Sequence, residues 1–118
     1  MKDLISRLGY DFKDKSLLKI ALTHKSLSSQ HNERLEFLGD ALLSLYVSEY
    51  LYRTFNALDE GKLTQFKATI VSRENLTRIA ESIELSRFIR TGKGEKLQEN
   101  SIVGNTLEAL IGAVYLDS

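Results

Sequence analysis

The sequence predicts an all-α domain, and three observations carry that prediction. Proline is absent, although average usage of about 5% would give about six, so no helix is broken from within. Apolar residues recur at helical spacing, and the segment 32–53 is the longest uninterrupted pattern. Helix starts and stops bracket the apolar segments: Ser16, Asn32, Ser72 and Ser101 stand at starts, and Gly9 at a stop.

Taken in order, residues 3–8 read as a short helix ended by Gly9, and Ser16 opens a second helix carrying Leu17, Leu18, Ile20, Ala21 and Leu22. A polar loop over 23–32 is rich in serine and holds both histidines, His24 and His31. Asn32 can cap the long helix over 32–53, whose first turn carries Glu33 and Glu36, where the helix dipole favours anions. A loop over 56–61 leads to helices over 63–71 and 72–83. Residues 83–90 alternate weakly like a strand, but a short helical turn is the preferred reading. A Gly-rich, charged connection over 91–100 precedes a last helix from Ser101 to about residue 116. No repeat or linker appears, so residues 1–118 read as one domain.

Composition bounds the chemistry. The 118 residues are 42% hydrophobic and 27% charged, ordinary for a globular domain. Sixteen basic and sixteen acidic residues cancel, so no bulk positive field marks a nucleic-acid binder. Cysteine is absent, which excludes disulfides, thiolate catalysis and thiolate zinc sites. Two histidines cannot form an all-histidine cage, and both are expected to be structural or at most to contact a ligand. No apolar run suits a signal peptide or a membrane span, so the expectation is a cytoplasmic chain with no membrane partner.

The acids are placed unusually. At about 100° per residue, Glu33, Glu36 and Asp40 fall within roughly 60° of one another. The same stripe continues as Leu43, Val47 and Leu51, and other faces carry Leu35, Phe37, Leu38, Leu42 and Leu45. The helix is thus apolar nearly all round, as a central helix would be. Carboxylates entering a core need a cation, and Arg34, the nearby base, points about 100° away from Glu33. A hard divalent ion such as Mg²⁺ suits oxygen ligands. The plainer reading is a capped helix start plus one satisfied aspartate.

Glu108 is the only charged residue between Ser101 and Asp117. Leu107, Leu110, Ile111 and Val114 make one face of that last helix; Asn105, Glu108, Ala109 and Gly112 make another, mostly small face. A small face lets a neighbour approach closely. If the neighbour is the acid-bearing helix, Glu108 and Asn105 come beside Glu36 and Asp40, the way helical proteins assemble metal sites from two helices. Otherwise Glu108 is a partly exposed helical glutamate.

The stretch Asn32-Glu33-Arg34-Leu35-Glu36-Phe37-Leu38-Gly39-Asp40-Ala41 closely resembles the hallmark of the ribonuclease III family of double-stranded-RNA endonucleases. Further landmarks follow in family order: Gly9-Tyr10 with Phe12, Ala21-Leu22-Thr23-His24-Lys25-Ser26, Asp59-Glu60-Gly61, Gly92-Lys93-Gly94-Glu95, and residues 107–117. The resemblance implies a single helical ribonuclease III-type endonuclease domain with a central acid-bearing helix, working as a homodimer on double-stranded RNA. It implies catalytic roles for Glu36, Asp40 and Glu108, and metal binding by those three and Asn105. Mg²⁺ is the implied cofactor, with Mn²⁺ as substitute. Glu33 and Glu60 match positions of the RNA-processing groove. Phe37 matches an aromatic that enters a socket on the partner, although by pattern alone it reads as core. Each subunit is expected to cut one strand, leaving staggered ends with 5′-phosphate and 3′-hydroxyl.

Two departures stand out. The family usually has aspartate where this chain has Asn105, which lacks formal charge. Either the remaining acids suffice, or the protein is a catalytically attenuated RNA-binding scaffold. Bacterial relatives usually continue into a double-stranded-RNA-binding domain, and no such domain is expected within this chain. RNA affinity would then rest on local groups such as Lys25, Lys62, Lys67, Arg73, Lys93 and Lys96 and be weak and salt-sensitive. A helical metal-storage or structural protein without RNA is the remaining alternative.

Overall fold

The computed structural model describes residues 2–97 and 101–118. Among the described residues six α-helices follow one another: α1 Lys2–Leu8, α2 Lys15–Ala21, α3 Glu33–Thr54, α4 Glu60–Ile70, α5 Arg73–Ser82 and α6 Ile102–Asp117. A 3₁₀ turn spans Leu85–Phe88. Among the described residues the only β-type pairing is an isolated parallel bridge between Thr23 and Arg90. Both halves of the mixed signal over 83–90 therefore have a physical counterpart. Residues 98–100 of the charged connection lie outside the described residues.

Capping explains most boundaries. Gly9, at φ 73°, ends α1 and donates to Ile5 O at 2.9 Å, a left-handed stop that suits glycine. The cap of α2 is Asp14 rather than Ser16: its carboxylate accepts from the backbone N–H groups of Ser16 and Leu17. Asp59 likewise accepts from Lys62 N at 3.0 Å and starts α4 at Glu60, earlier than its apolar pattern begins. Ser72 caps α5 as expected, accepting from Asn75 N at 3.2 Å. Asn32 and Ser101 precede α3 and α6 without making side-chain cap bonds.

Asn32 instead serves the core. It is 3% exposed, and its amide donates to Ala21 O at 3.0 Å and to Thr106 Oγ1 at 3.5 Å. It thereby ties the end of α2 to the start of α3 and to α6. The preceding loop is zipped to the segment after the 3₁₀ turn. Arg90 N donates to Leu22 O, His24 N to Arg90 O, and Gly92 N to Ser26 Oγ, at 2.7, 2.8 and 2.8 Å.

Of the two long acid-bearing helices, α6 is the more enclosed. Ten of its residues are buried, against four in α3. Leu4, Phe12, Leu18, Leu22, Leu76, Leu85 and Leu110 pack in the same cluster. The face of α3 that carries Phe37 and Leu45 is exposed, so the helix is apolar all round without being covered all round. At 22 residues α3 is about 33 Å long. It is longer than the 16-residue α6, and α4 also packs against it.

Backbone contact fixes how α3 meets α6. A Cβ at Gly39 would fall 1.7 Å from the carbonyl oxygen of Glu108, and one at Gly112 2.5 Å from Leu35 O. Neither obstacle is a side chain that could turn aside. Ala109, wholly buried, completes the small face expected from the sequence. Replacing Gly39 with alanine must force the helices apart and should lower stability by about 3 kcal/mol, read from the urea midpoint. An unchanged midpoint would contradict the close crossing.

Candidate metal centre

The crossing positions the acids. Gly39 touches the backbone of Glu108, and Asp40 follows Gly39 directly while Glu36 lies one turn before Asp40 on the same stripe. Glu33, Glu36, Phe37, Asp40, Arg73 and Glu108 consequently line one open cavity of about 370 Å³. The expected meeting of Glu36 and Asp40 with Glu108 across two helices is thus a shared cavity. Asn105 and Glu36 line an adjoining cavity of about 320 Å³, together with His24, Lys25, Asn32 and Glu33. Glu36 is the residue common to the metal set on both sides. Glu60 lines neither cavity; it sits in the first turn of α4, accepting from Thr64 Oγ1 at 3.2 Å.

Glu108 is 2% exposed, and Arg73 Nη1 donates to its Oε1 at 2.9 Å. Burial, reinforced by hydrogen bonding with Asp40, pushes its carboxyl up to about 7 against the opposing pull of Arg73. Burial also raises Glu36, with Glu33 and Asp40 adding repulsion and Arg73 and Lys25 opposing. Lys25 pairs with Glu33 at 3.2 Å. Two of the basic groups that sequence reading offered to RNA phosphates, Lys25 and Arg73, therefore engage carboxylates of this region. Among the described residues no three acidic or imidazole groups are drawn tightly enough to cage an ion as they stand.

The donor set fits a hard cation. It consists of oxygen atoms, which suit Mg²⁺ or Mn²⁺ rather than a thiophilic metal. Among the described residues Asn105 Oδ1 is buried without a hydrogen-bond partner, a costly state that a cation or its water would relieve. The histidines lie apart from the carboxylate cavity: His24 Nδ1 bonds Ser26 Oγ at 2.7 Å, and His31 Nδ1 accepts from Glu33 N at 3.4 Å. Arg73 at the carboxylates is the feature that sequence reasoning missed. It follows a capping serine at the start of a separate helix, and no spacing rule connects it to Glu108.

Comparison with known proteins gives the family of the chain and of its fold. The profile of the ribonuclease-III-like family matches residues 14–118. Ribonuclease 3 of Buchnera aphidicola (subspecies Acyrthosiphon pisum, strain Tuc7) is 49% identical over 115 residues, covering 94% of this chain and 51% of the relative. Ribonuclease 3 of Vibrio cholerae is 43% identical over 122 residues, covering 100% and 54%. The nuclease domain of ribonuclease III from Campylobacter jejuni superposes with a TM-score of 0.93 at 44% identity, over 98% of this chain and 85% of that one. Dicer from Pichia stipitis superposes with a TM-score of 0.75 at 28% identity, over 90% and 47%. The chain belongs to the ribonuclease III family, and it corresponds to the nuclease domain of that family. It spans about half the length of the curated relatives it matches.

The raised carboxyl of Glu108 makes stability depend on pH. Between the ordinary glutamate value of 4.5 and about 7, the folded protein holds a proton that the unfolded chain has lost. Stability therefore falls as pH rises through that window, by on the order of 3 kcal/mol in all. Urea unfolding in EDTA at pH 5 and pH 8 should show the loss, and Glu108→Gln should remove most of it. A slope that survives the substitution would assign the effect elsewhere.

Proposed function

We propose that this chain is the catalytic module of a divalent-metal-dependent endoribonuclease that cuts double-stranded RNA. The observation that carries the reading is the shared cavity of Glu36, Asp40 and Glu108, built by two crossing helices in a member of this family. Glu36, Asp40 and Glu108 would hold Mg²⁺, or Mn²⁺ in its place, and the Asn105 oxygen would bind the ion or a water on it. Such an ion supplies an acidified water and offsets charge on the phosphodiester. The protein's own part is to hold the oxygens. Gly39 fixes the crossing, burial keeps Glu108 from wandering, and loss of its proton near pH 7 readies it as a ligand. Attack by water at phosphorus with departure of the 3′-oxygen gives 5′-phosphate and 3′-hydroxyl ends.

Duplex RNA would be recognised by its A-form shape and 2′-hydroxyls, with Glu33 and Glu60 along the processing groove. The proposed assembly is a homodimer. Phe37 is 79% exposed, not core, and with Leu45 and Tyr52 it leaves an apolar strip on α3 uncovered. Beside it lies an open cavity of about 900 Å³ lined by Leu17, Ile20, Leu35, Leu38 and Leu116. The partner's Phe37 would enter there, and two-fold symmetry would make the exchange mutual. The Campylobacter nuclease domain is described as structurally flexible in its dimer-forming region. No helix among the described residues is long and apolar enough to cross a membrane. The proposed setting is the cytoplasm, which suits a cysteine-free chain.

Asn105 supports a second reading, an attenuated RNA-binding scaffold, because its amide brings no charge to the site. Labelled duplex RNA with Mg²⁺ separates the two. Cleavage by the parent chain should fall about a hundredfold or more in Asp40→Asn, while a gel shift in Ca²⁺ at low salt persists. A parent that is inert until Asn105→Asp restores cutting would favour the scaffold. Absence of both cutting and RNA binding would favour a protein that does not act on RNA.

A further inference from the structure

Arg73 opens α5, and its stem crosses α6 where a side chain is missing. A Cβ at Gly104 would fall 3.0 Å from Arg73 Cδ and 3.5 Å from its Nη1. That bare stretch of helix gives the guanidinium a path to Glu108, one turn further along. The partners are unequally placed: the Glu108 side chain is 2% exposed and that of Arg73 44%. Among the described residues, Arg73 is the one basic group lining the carboxylate cavity; Lys25 lines the adjoining one. A cation belonging to the chain therefore already engages an oxygen that a metal ion would use.

We propose that Arg73 is a displaceable counter-ion, which holds Glu108 in the metal-free protein and competes with the divalent cation for it, so that Arg73 sets the metal affinity of the site. The inference rests on the metal-site reading above. A buried carboxylate left alone is unstable, and a guanidinium stays charged at every working pH. Glu108 is thus kept in place before metal arrives. Both cations seek the same lone pairs, and a unit charge facing a divalent ion across one small, wet cavity weakens its binding about tenfold even at the dielectric of water. Half-exposure and a flexible stem let Arg73 turn into solvent when the ion enters. It is a positioning residue, since it acts through Glu108.

Calorimetric titration with Mn²⁺ alone, without RNA, tests the proposal. Arg73→Gln should bind Mn²⁺ about tenfold more tightly than the parent and show a lower Tm in EDTA. Arg73→Lys, which keeps the charge, should stay within about threefold of the parent. On a Glu108→Gln background the Arg73→Gln change should tighten Mn²⁺ binding by less than it does in the parent, since the competition for the Glu108 oxygen is gone and only repulsion across the cavity remains. Unchanged or weaker Mn²⁺ binding by Arg73→Gln overturns the proposal, as does a loss of RNA cleavage with Mn²⁺ affinity intact. If Arg73→Gln does not fold without metal, the Arg73 Nε–H resonance of the parent is followed by NMR during Mg²⁺ addition. Movement in step with saturation supports displacement, and a resonance unmoved at saturation overturns it. Absence of Mn²⁺ binding in the parent and every variant overturns the metal-site reading itself.

Discussion

Backbone contact between α3 and α6 is the constraint on which the rest of the molecule depends. At Gly39 and Gly112 the two helices approach until no Cβ fits between them. This closeness sets the register of the α3 stripe against Glu108. A wider crossing would carry half-buried Glu36 and exposed Asp40 away from Glu108, leaving that buried acid with no second carboxylate nearby. Close-packed interiors transmit such shifts rather than absorb them, so the glycines govern electrostatics as much as packing.

The surrounding loops defend that register. Asn32 reaches from the start of α3 to α2 and α6 with its amide. The bridge at Thr23 and Arg90 is reinforced by Arg90 Nη1 donating to Thr23 Oγ1 at 3.0 Å. At the other end of α6, Asp117 accepts from Tyr10 Oη and from the backbone of Lys13 and Asp14, at 2.7, 2.8 and 2.9 Å. That contact secures the segment between α1 and α2 to the end of α6. Polar groups thus clamp both ends of a helix whose middle is apolar apart from Asn105, Thr106 and Glu108. Burying an acid in such a helix costs stability, and the site concentrates that cost where a cation can offset it.

Much of this was legible in the sequence because periodicity is local. The acid stripe, the small face around Ala109 and Gly112, and the stops and starts at Gly9 and Ser72 all follow from spacing. Capping was less legible where two candidates stood together. Asp14 starts the helix earlier by accepting from the N–H groups of Ser16 and Leu17, which leaves Ser16 inside α2 with its hydroxyl donating to the same carboxylate. Asn32 had a capping position but a better use, since its buried amide satisfies carbonyl and hydroxyl groups distant in sequence. Phe37 could not be separated from core by pattern, because a helix that serves two apolar surfaces shows the same periodicity as one buried on all sides. Gly39 carried a signal, an isolated glycine inside a long helix, yet only coordinates reveal what it touches. The Arg73–Glu108 pair spans 35 positions between separate helices, and no local pattern encodes it.

The most direct measurement is anomalous diffraction from crystals soaked in Mn²⁺. A peak between α3 and α6, within ligand distance of oxygens from Glu36, Asp40 and Glu108, is the predicted result. Manganese bound elsewhere, with those carboxylates unliganded and Arg73 still on Glu108, would contradict the account.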